Sequence, residues 1–518
     1  MQLADYLDQG AFANADGACL ISDGSMMTYR EVQDLSHQIA NGLAANQFGK
    51  DDKIAILSPN DPYAFISVLG LSRVGATWVP INPRNGLDEN HYILDSFDCS
   101  ALIYHSVFEP LVASLRPRLP KLKLLLCLDK TGQDCEHFMP WLEQYDATPV
   151  SMTSSSEDVA LLAGTGGTTG KPKGVMLSNQ NMETLVSLSL FCTPKATKPV
   201  YLALAPMTHA AGVLVFPVLA LGGATVIMPK PDLAAFLSLI ETYNVTTTFL
   251  PPTLIYMLLD HPALASTNLS SLQYFWYGAA PMSAEKLKQS IEVFGPVMTQ
   301  LYGQTEAPML LTHLSAEDHF SAENEYAEQR LRSCGRPTPL VKVAIMDDDG
   351  ALLPTDKRGE IVVKSSLVMQ GYYKNEAATA STIKNGWLHT GDIGYFDDEG
   401  YLYLVDRKRD VIISGGFNVY SVEVEDAIMQ LDAIQDCAVI GLPHKKWGEM
   451  VVAVVQLRQG QTVKESDLID YCKAQLGSVK APKQVVVMDD LPRSTVGKVL
   501  KRSIRQQLTG DASVFKRD

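Results

Sequence analysis

The run Leu161-Leu162-Ala163-Gly164-Thr165-Gly166-Gly167-Thr168-Thr169-Gly170-Lys171-Pro172-Lys173-Gly174-Val175 brings glycines, threonine hydroxyls and two lysines into one short segment. Glycine lets successive backbone N–H groups converge on an anion with no Cβ in the way, and the hydroxyls and ammonium groups add donors and charge. The chemistry this fits is the holding of a polyphosphate, with ATP the natural candidate. Two familiar nucleotide motifs do not fit. A P-loop needs Gly where Thr165 stands and Ser or Thr where Pro172 stands, and the dinucleotide motif needs its third Gly where Thr169 stands. A flexible linker is the plain alternative, but linkers rarely carry paired lysines and a proline at a strand exit.

The elements that must position this loop are legible as alternating apolar strands and amphipathic helices. The strand Val159-Ala160-Leu161-Leu162 feeds the loop. Upstream, helical spacing over Glu31 to Ala45 is followed by strand Lys53 to Leu57, helix Tyr63 to Val74 and strand Ala76 to Pro80. The alternation continues through strands at Tyr201–Leu204, Thr246–Leu250 and Tyr274–Tyr277. This is the pattern of a parallel α/β sheet, whose ligands gather beyond the carboxyl ends of its strands. The loops beginning at Gly164, Pro206, Gly278 and Gly303 are expected there. Between Arg332 and Asp406 the texture changes to alternating strands with turns at Asp348-Asp349-Gly350 and Asp397-Asp398-Glu399-Gly400, the signature of a small β-subdomain.

Five further segments carry candidate chemistry: Ala205-Pro206-Met207-Thr208-His209-Ala210-Ala211-Gly212, Tyr302-Gly303-Gln304-Thr305-Glu306, Gly386-Trp387-Leu388-His389-Thr390-Gly391-Asp392, Asp406-Arg407-Lys408-Arg409-Asp410, and Pro492 through Gly497-Lys498. With the threonine-glycine loop, and in this order, they resemble the adenylate-forming superfamily of acyl-CoA synthetases, luciferases and peptide-synthetase adenylation domains. The match runs from about Tyr29 to about Arg502. It implies a large N-terminal domain, residues 1–408, of parallel-rich sheets with helices plus the β-subdomain, and a small mobile α+β lid, residues 409–518.

The activity implied is that of an acyl-CoA synthetase. A carboxylate attacks the α-phosphorus of ATP, pyrophosphate leaves, and coenzyme A thiol then displaces AMP from the acyl-adenylate. On this resemblance Lys498 is the adenylation lysine, Glu306 the ligand of Mg²⁺, and Thr305 a hydrogen-bond donor to the α-phosphate. His209 stands beside the carboxyl end of the acyl pocket. Thr165, Gly166, Gly167, Thr168, Thr169, Gly170, Lys171 and Lys173 hold the phosphates. Gly278, Ala279, Ala280 and Tyr302 wall the adenine, while Asp392 takes both ribose hydroxyls and Arg407 contacts ribose or phosphate. Gly415 and Gly416 present the lid to the pantetheine arm, and Arg409 is the hinge, where relatives usually have Asp or Lys. Met207 to Ala210 supply no aspartate for an α-ammonium, so a plain carboxylic acid is the expected substrate. Tyr256, Met257, Met309 and Leu310 with Ala210, Ala211 and Gly212 are consistent with an apolar pocket, and equally with core packing. The Pro492-to-Lys498 segment also resembles the target of protein acetyltransferases, which makes such an enzyme a further expected partner.

Composition bounds these readings. A chain of 518 residues, 46% hydrophobic and 19% charged, is long enough for at least two cores. A net charge of -15 argues against non-specific nucleic-acid binding, which depends on Lys and Arg at phosphates. Eight scattered cysteines without a C-x-x-C pair read as reduced side chains of a cytoplasmic protein. The N-terminus lacks the basic and apolar regions of a secretory signal, and the last residues are no peroxisomal address. Ala210 to Met228 carries no charge, yet Pro217 and Gly222-Gly223 interrupt it. It reads as a buried helix, a glycine turn and the strand Ala224–Met228, and no transmembrane segment is expected. Alternatives to the synthetase are an acyl-carrier-protein ligase, a P-loop ATPase disfavoured by Pro172, and a non-catalytic nucleotide-binding protein.

Overall fold

The computed structural model describes residues 1–130, 135–150, 152, 154–165, 171–194, 198–323, 325–493 and 499–510. The chain forms two compact units, Met1–Val343 with Val363–Leu388, and Ala344–Val362 with His389–Asp518.

In the first unit, among the described residues, a sheet of nine strands has a parallel centre. Its order there is Met298–Gln304, Tyr274–Gly278, Thr247–Leu250, Val200–Ala203, Ala224–Ile227, Ala18–Ser22. A second sheet of eight strands runs parallel from Val159–Thr165 through Thr77–Pro80, Lys53–Leu57, Cys99–Tyr104 and Leu124–Cys127 to Glu136–His137. Between strands the chain turns helical where the sequence supplies caps. Thr28 and Glu31 form a reciprocal capping box at the start of Tyr29–Ala45, and Asp61 caps Pro62–Arg73 through the Ala64 N–H. The mixed α/β class expected from the alternation is the class observed.

The uncharged stretch after His209 breaks into helices Ala210–Val213 and Val215–Ala220, a turn at Gly222 with φ of +64°, and the fully buried strand Ala224–Ile227. Among the described residues no helix is long and apolar enough to cross a membrane. The eight cysteines are all unpaired, and six of them are buried.

Two loops expected at strand ends lie differently. Gly164 sits inside strand Val159–Thr165, whose partner Lys173–Ser178 returns antiparallel, so the threonine-glycine segment joins a hairpin and the helix begins only at Asn179. Gly303 sits inside Met298–Gln304, and the turn is Thr305-Glu306, leading back into Ala307–Leu314. A register shift falls between Tyr302 and Gln304. A Cβ on Gly303 would lie 2.3 Å from the Met309 backbone nitrogen, so only glycine allows the strands this approach.

The second unit is built on antiparallel Ile434–His444 and Gly448–Leu457; Gly448–Leu457 also pairs with Gln484–Val487, which runs parallel to it, and with Ile412–Ser414 of the hairpin Ile412–Ser414/Phe417–Val419, which runs antiparallel. Helices Ser421–Ile428 and Glu465–Lys480 bury Val424, Ile428, Leu468 and Cys472 with the sheet's Val439, Val451 and Val455.

Two histidines, His313 within the nine-stranded sheet and His319 just after it, tie the first unit's stability to pH. His313 packs 6.2 Å from the Trp276 ring, and His319 Nε2 lies 3.3 Å from the Tyr277 hydroxyl. Burial pushes both down to about 4. A group whose folded pKa is depressed favours the fold above its unfolded value, near 6.5 for histidine, and loses that contribution as pH falls toward the folded value. Between pH 7.5 and 5.5 each histidine therefore removes on the order of 1 kcal/mol. Denaturation midpoints followed by tryptophan fluorescence should fall over that window, and His319→Gln should flatten about half of the fall; a variant profile parallel to wild type would contradict the assignment.

Candidate active site

The hairpin carrying the threonine-glycine segment is fixed to the Thr305-Glu306 turn by a short stretch of chain, Met369 to Tyr373. Met369 N–H donates to the Glu306 carbonyl at 2.8 Å, Gln370 N–H to the Met176 carbonyl at 3.0 Å, and Tyr373 N–H to the Gly174 carbonyl at 2.8 Å. Gly371 and Tyr372 pair antiparallel with Met176 and Val175. Gly371 has φ of +152° and would bring a Cβ to 2.8 Å from Thr379 Cγ2, so the local path requires glycine.

This stretch delivers Tyr372 between two of the expected site residues. Its hydroxyl donates to Glu306 Oε1 at 2.7 Å, and the Lys173 ammonium lies 4.0 Å from its ring centroid. Burial, and after it the Glu306 charge, holds the phenol well above its usual value, so Tyr372 stays a neutral donor. Across the hairpin the Thr165 hydroxyl donates to the Lys173 carbonyl at 3.4 Å, and Lys171 sits 4.9 Å from the Tyr92 ring centroid. Gly166, Gly167, Thr168, Thr169 and Gly170 lie outside the described residues.

The His209 loop is the next of these segments along the chain. Buried Asn60 clamps it: Oδ1 accepts from Met207 N–H at 2.8 Å, and Nδ2 donates to the Ala205 carbonyl at 3.0 Å. The Gly212 N–H closes back on the His209 carbonyl at 3.0 Å, and a Cβ on Gly212 would overlap the Met207 carbonyl. His209 presents surface to solvent, yet the protein packed around it lowers its pKa by desolvation, which keeps the imidazole neutral near pH 7. Gly278 ends its strand against the Leu301 carbonyl, where a Cβ would come within 2.6 Å. Ala279 follows with φ of +65°, a strained conformation for a residue with a Cβ. Tyr302 is buried on the neighbouring strand. Of the residues read as apolar lining, Leu310 is fully buried in the sheet and Met257 is exposed.

In the second unit Asp392 and Arg407 face each other across paired strands and form an ion pair, Nε to Oδ1, at 2.7 Å. Arg409 lies 3.7 Å from Asp410. Gly415 and Gly416 have φ of +60° and +84° and form the two-residue turn between Ser414 and Phe417, a geometry that excludes most side chains. Lys498 lies outside the described residues. The chain on either side of it is drawn together: Leu500 N–H donates to the Pro492 carbonyl at 2.7 Å, and Lys501 pairs with Glu425 at 2.7 Å.

Tyr372 and Asn60 were not singled out in the sequence. Asn60 precedes a recognisable N-cap, Asp61-Pro62, and reads as part of that turn. The Gly371-Tyr372-Tyr373 run was the available signal for Tyr372, since a glycine ahead of paired aromatics marks a close backbone approach. Among the described residues no three His, Cys, Asp or Glu side chains converge as a metal cage. The single carboxylate of Glu306 fits a hard cation that keeps its waters and takes its other oxygens from phosphates, as Mg²⁺ does.

Comparison with known proteins identifies the family. Residues 7–373 match the AMP-binding enzyme model, and residues 423–498 match the AMP-binding enzyme C-terminal domain. The chain is 34% identical to medium/long-chain-fatty-acid–CoA ligase FadD8 of Mycobacterium tuberculosis, over 92% of this chain and 85% of that protein. It is 33% identical to feruloyl-CoA synthase of Amycolatopsis sp, over 93% and 94% respectively. Among solved structures, amide bond synthetase McbA of Marinactinospora thermotolerans superposes with a TM-score of 0.88 at 29% identity, covering 98% of this chain and 99% of that one. The chain therefore belongs to the AMP-binding enzyme family, in the acyl-CoA synthetase branch of the adenylate-forming superfamily.

Proposed function

We propose that this protein is an AMP-forming carboxylate–CoA ligase acting in the cytoplasm on a plain, largely apolar carboxylic acid. The observation that carries the reading is the convergence of Lys173, Tyr372 and Glu306 where the threonine-glycine hairpin meets the Thr305-Glu306 turn. A cation and a carboxylate held separately at one place suit a polyphosphate and its counter-cation. The family relatives named above support the thiol acceptor.

In the first half-reaction the acid's carboxylate oxygen bonds to the α-phosphorus of ATP, and the bond to pyrophosphate breaks. Charge grows on the α-phosphate and on the leaving group, so fixed positive charge there lowers the barrier. Lys171, Lys173 and the amides of 166–170 are assigned to the phosphates, Thr305 to the α-phosphate, and Lys498 to both the substrate carboxylate and the α-phosphate. Gly278, Ala279, Ala280 and Tyr302 are assigned to adenine, and Asp392, oriented by Arg407, to the ribose. Bound Mg²⁺ would supply charge neutralisation at the phosphates, with Glu306 holding it. Neutral His209, on a loop clamped by Asn60, lines the approach of the acid without adding a competing charge. In the second half-reaction the coenzyme A sulfur bonds to the acyl carbon and AMP leaves with the bridging oxygen. Gly415 and Gly416 are assigned to the pantetheine arm and Arg409 to the hinge of a C-terminal domain spanning 409–518.

ATP–pyrophosphate exchange measured across a panel of aliphatic and aromatic acids tests this directly. Exchange should require an acid, and adding coenzyme A should convert that acid to a thioester detectable by mass spectrometry. Acid-independent ATP hydrolysis would contradict the reading, while transfer only to a carrier protein or an amine would replace the acceptor.

The role given to Lys498 makes a sharper demand. Lys498→Ala should lower acyl-adenylate formation by about 10²- to 10³-fold, the loss typical of one transition-state contact. Thioester formation from synthetic acyl-adenylate should be spared, and equal loss in both half-reactions would refute the assignment.

A further inference from the structure

We propose that Tyr372 is a positioning residue that holds Lys173 and Glu306 apart and aimed, so that neither charge is spent on the other before nucleotide and cation arrive. The inference rests on the ligase reading above and goes beyond it, because Tyr372 has no place in the roles assigned there.

The geometry is specific. One aromatic side chain carries a cation on its face, Lys173 at 4.0 Å from the centroid, and an anion on its hydroxyl, Glu306 at 2.7 Å. Lys173 and Glu306 thus meet opposite parts of the same ring, and they are not ion-paired with each other. A direct pair would be partly desolvated, and its separation would oppose every binding event. The neutral ring replaces that pair with two separate contacts, a cation–π contact and a charge-assisted hydrogen bond, which nucleotide phosphates and a hydrated cation can displace. Tyr372 is itself fixed from several sides. Its N–H donates to Thr379 Oγ1 at 2.8 Å, and its strand is paired with the one bearing Lys173. The hydroxyl proton is therefore directed at Glu306, which orients the carboxylate. Only 4% of Tyr372 is exposed, so the ring cannot swing out to let the charges meet.

The two contacts separate by mutation. Calorimetric titration with α,β-methylene-ATP, once with Mg²⁺ and once with EDTA, reads binding without turnover. Tyr372→Phe keeps the ring and removes the hydroxyl. Its metal-free affinity should stay within about twofold of wild type, while the gain in affinity on adding Mg²⁺ shrinks by about 3- to 10-fold, the worth of one hydrogen bond. Lys173→Met keeps ring and hydroxyl and should do the reverse, lowering metal-free affinity by about tenfold and preserving the Mg²⁺ gain. Tyr372→Leu should show both losses together. If Tyr372→Phe weakens binding equally with and without Mg²⁺, or leaves the Mg²⁺ gain at the wild-type level, the positioning role is wrong while the ligase reading stands. Wild-type protein that fails to bind the nucleotide analogue in either condition overturns the ligase reading and this inference with it.

Discussion

Three backbone hydrogen bonds, from Met369, Gln370 and Tyr373 to the carbonyls of Glu306, Met176 and Gly174, set the distance between a strand that carries cations and a turn that carries a carboxylate. Everything proposed for the polyphosphate depends on that spacing. Backbone bonds in a sheet margin are poor sources of net stability but good rulers, since each is short, directional and costly to leave unmade when buried. A site for a multiply charged ligand needs such a ruler, because its own charges would otherwise relax toward one another in the empty state. The strand and the turn come from different sheets, and the stretch 369–373 crosses from one to the other.

The side proposed for the acid rests on a different constraint. The loop Ala205 to Gly212 has almost no side chain able to hold its own backbone, and Asn60, from the end of another strand, satisfies two of its polar groups. Burying an amide side chain for this purpose is favourable only if its donors and acceptor are all used, which the contacts to Met207, Ala205 and Leu204 accomplish. The outcome is a neutral histidine at a fixed place beside small residues, an environment suited to an uncharged acyl group and unsuited to an α-ammonium.

How much of this was legible follows from what sequence patterns encode. Strand Lys53–Leu57 and the glycine turn after Ala220 were readable because hydrophobic periodicity and glycine placement are local. The residues flanking Lys498 and the Gly415-Gly416 turn were likewise marked by motif. The antiparallel return of Lys173–Ser178 was not, because a helix start at Asn179 and a strand at Lys173 give the same apolar run. Gly303 reads as a loop residue for a similar reason, since glycine signals a turn and a close strand approach equally well. Tyr372 stayed hidden because its meaning is non-local: 66 residues separate it from Glu306, and no spacing rule links them.

The central claim is that activation proceeds through attack of a carboxylate oxygen on the α-phosphorus. An acid labelled with ¹⁸O in both carboxyl positions, incubated with ATP, Mg²⁺, coenzyme A and the protein, reports that bond directly by mass spectrometry of the nucleotide product. The account predicts AMP carrying one ¹⁸O, with the other retained in the thioester. Unlabelled AMP, or label appearing in inorganic phosphate with ADP as the nucleotide product, would contradict it.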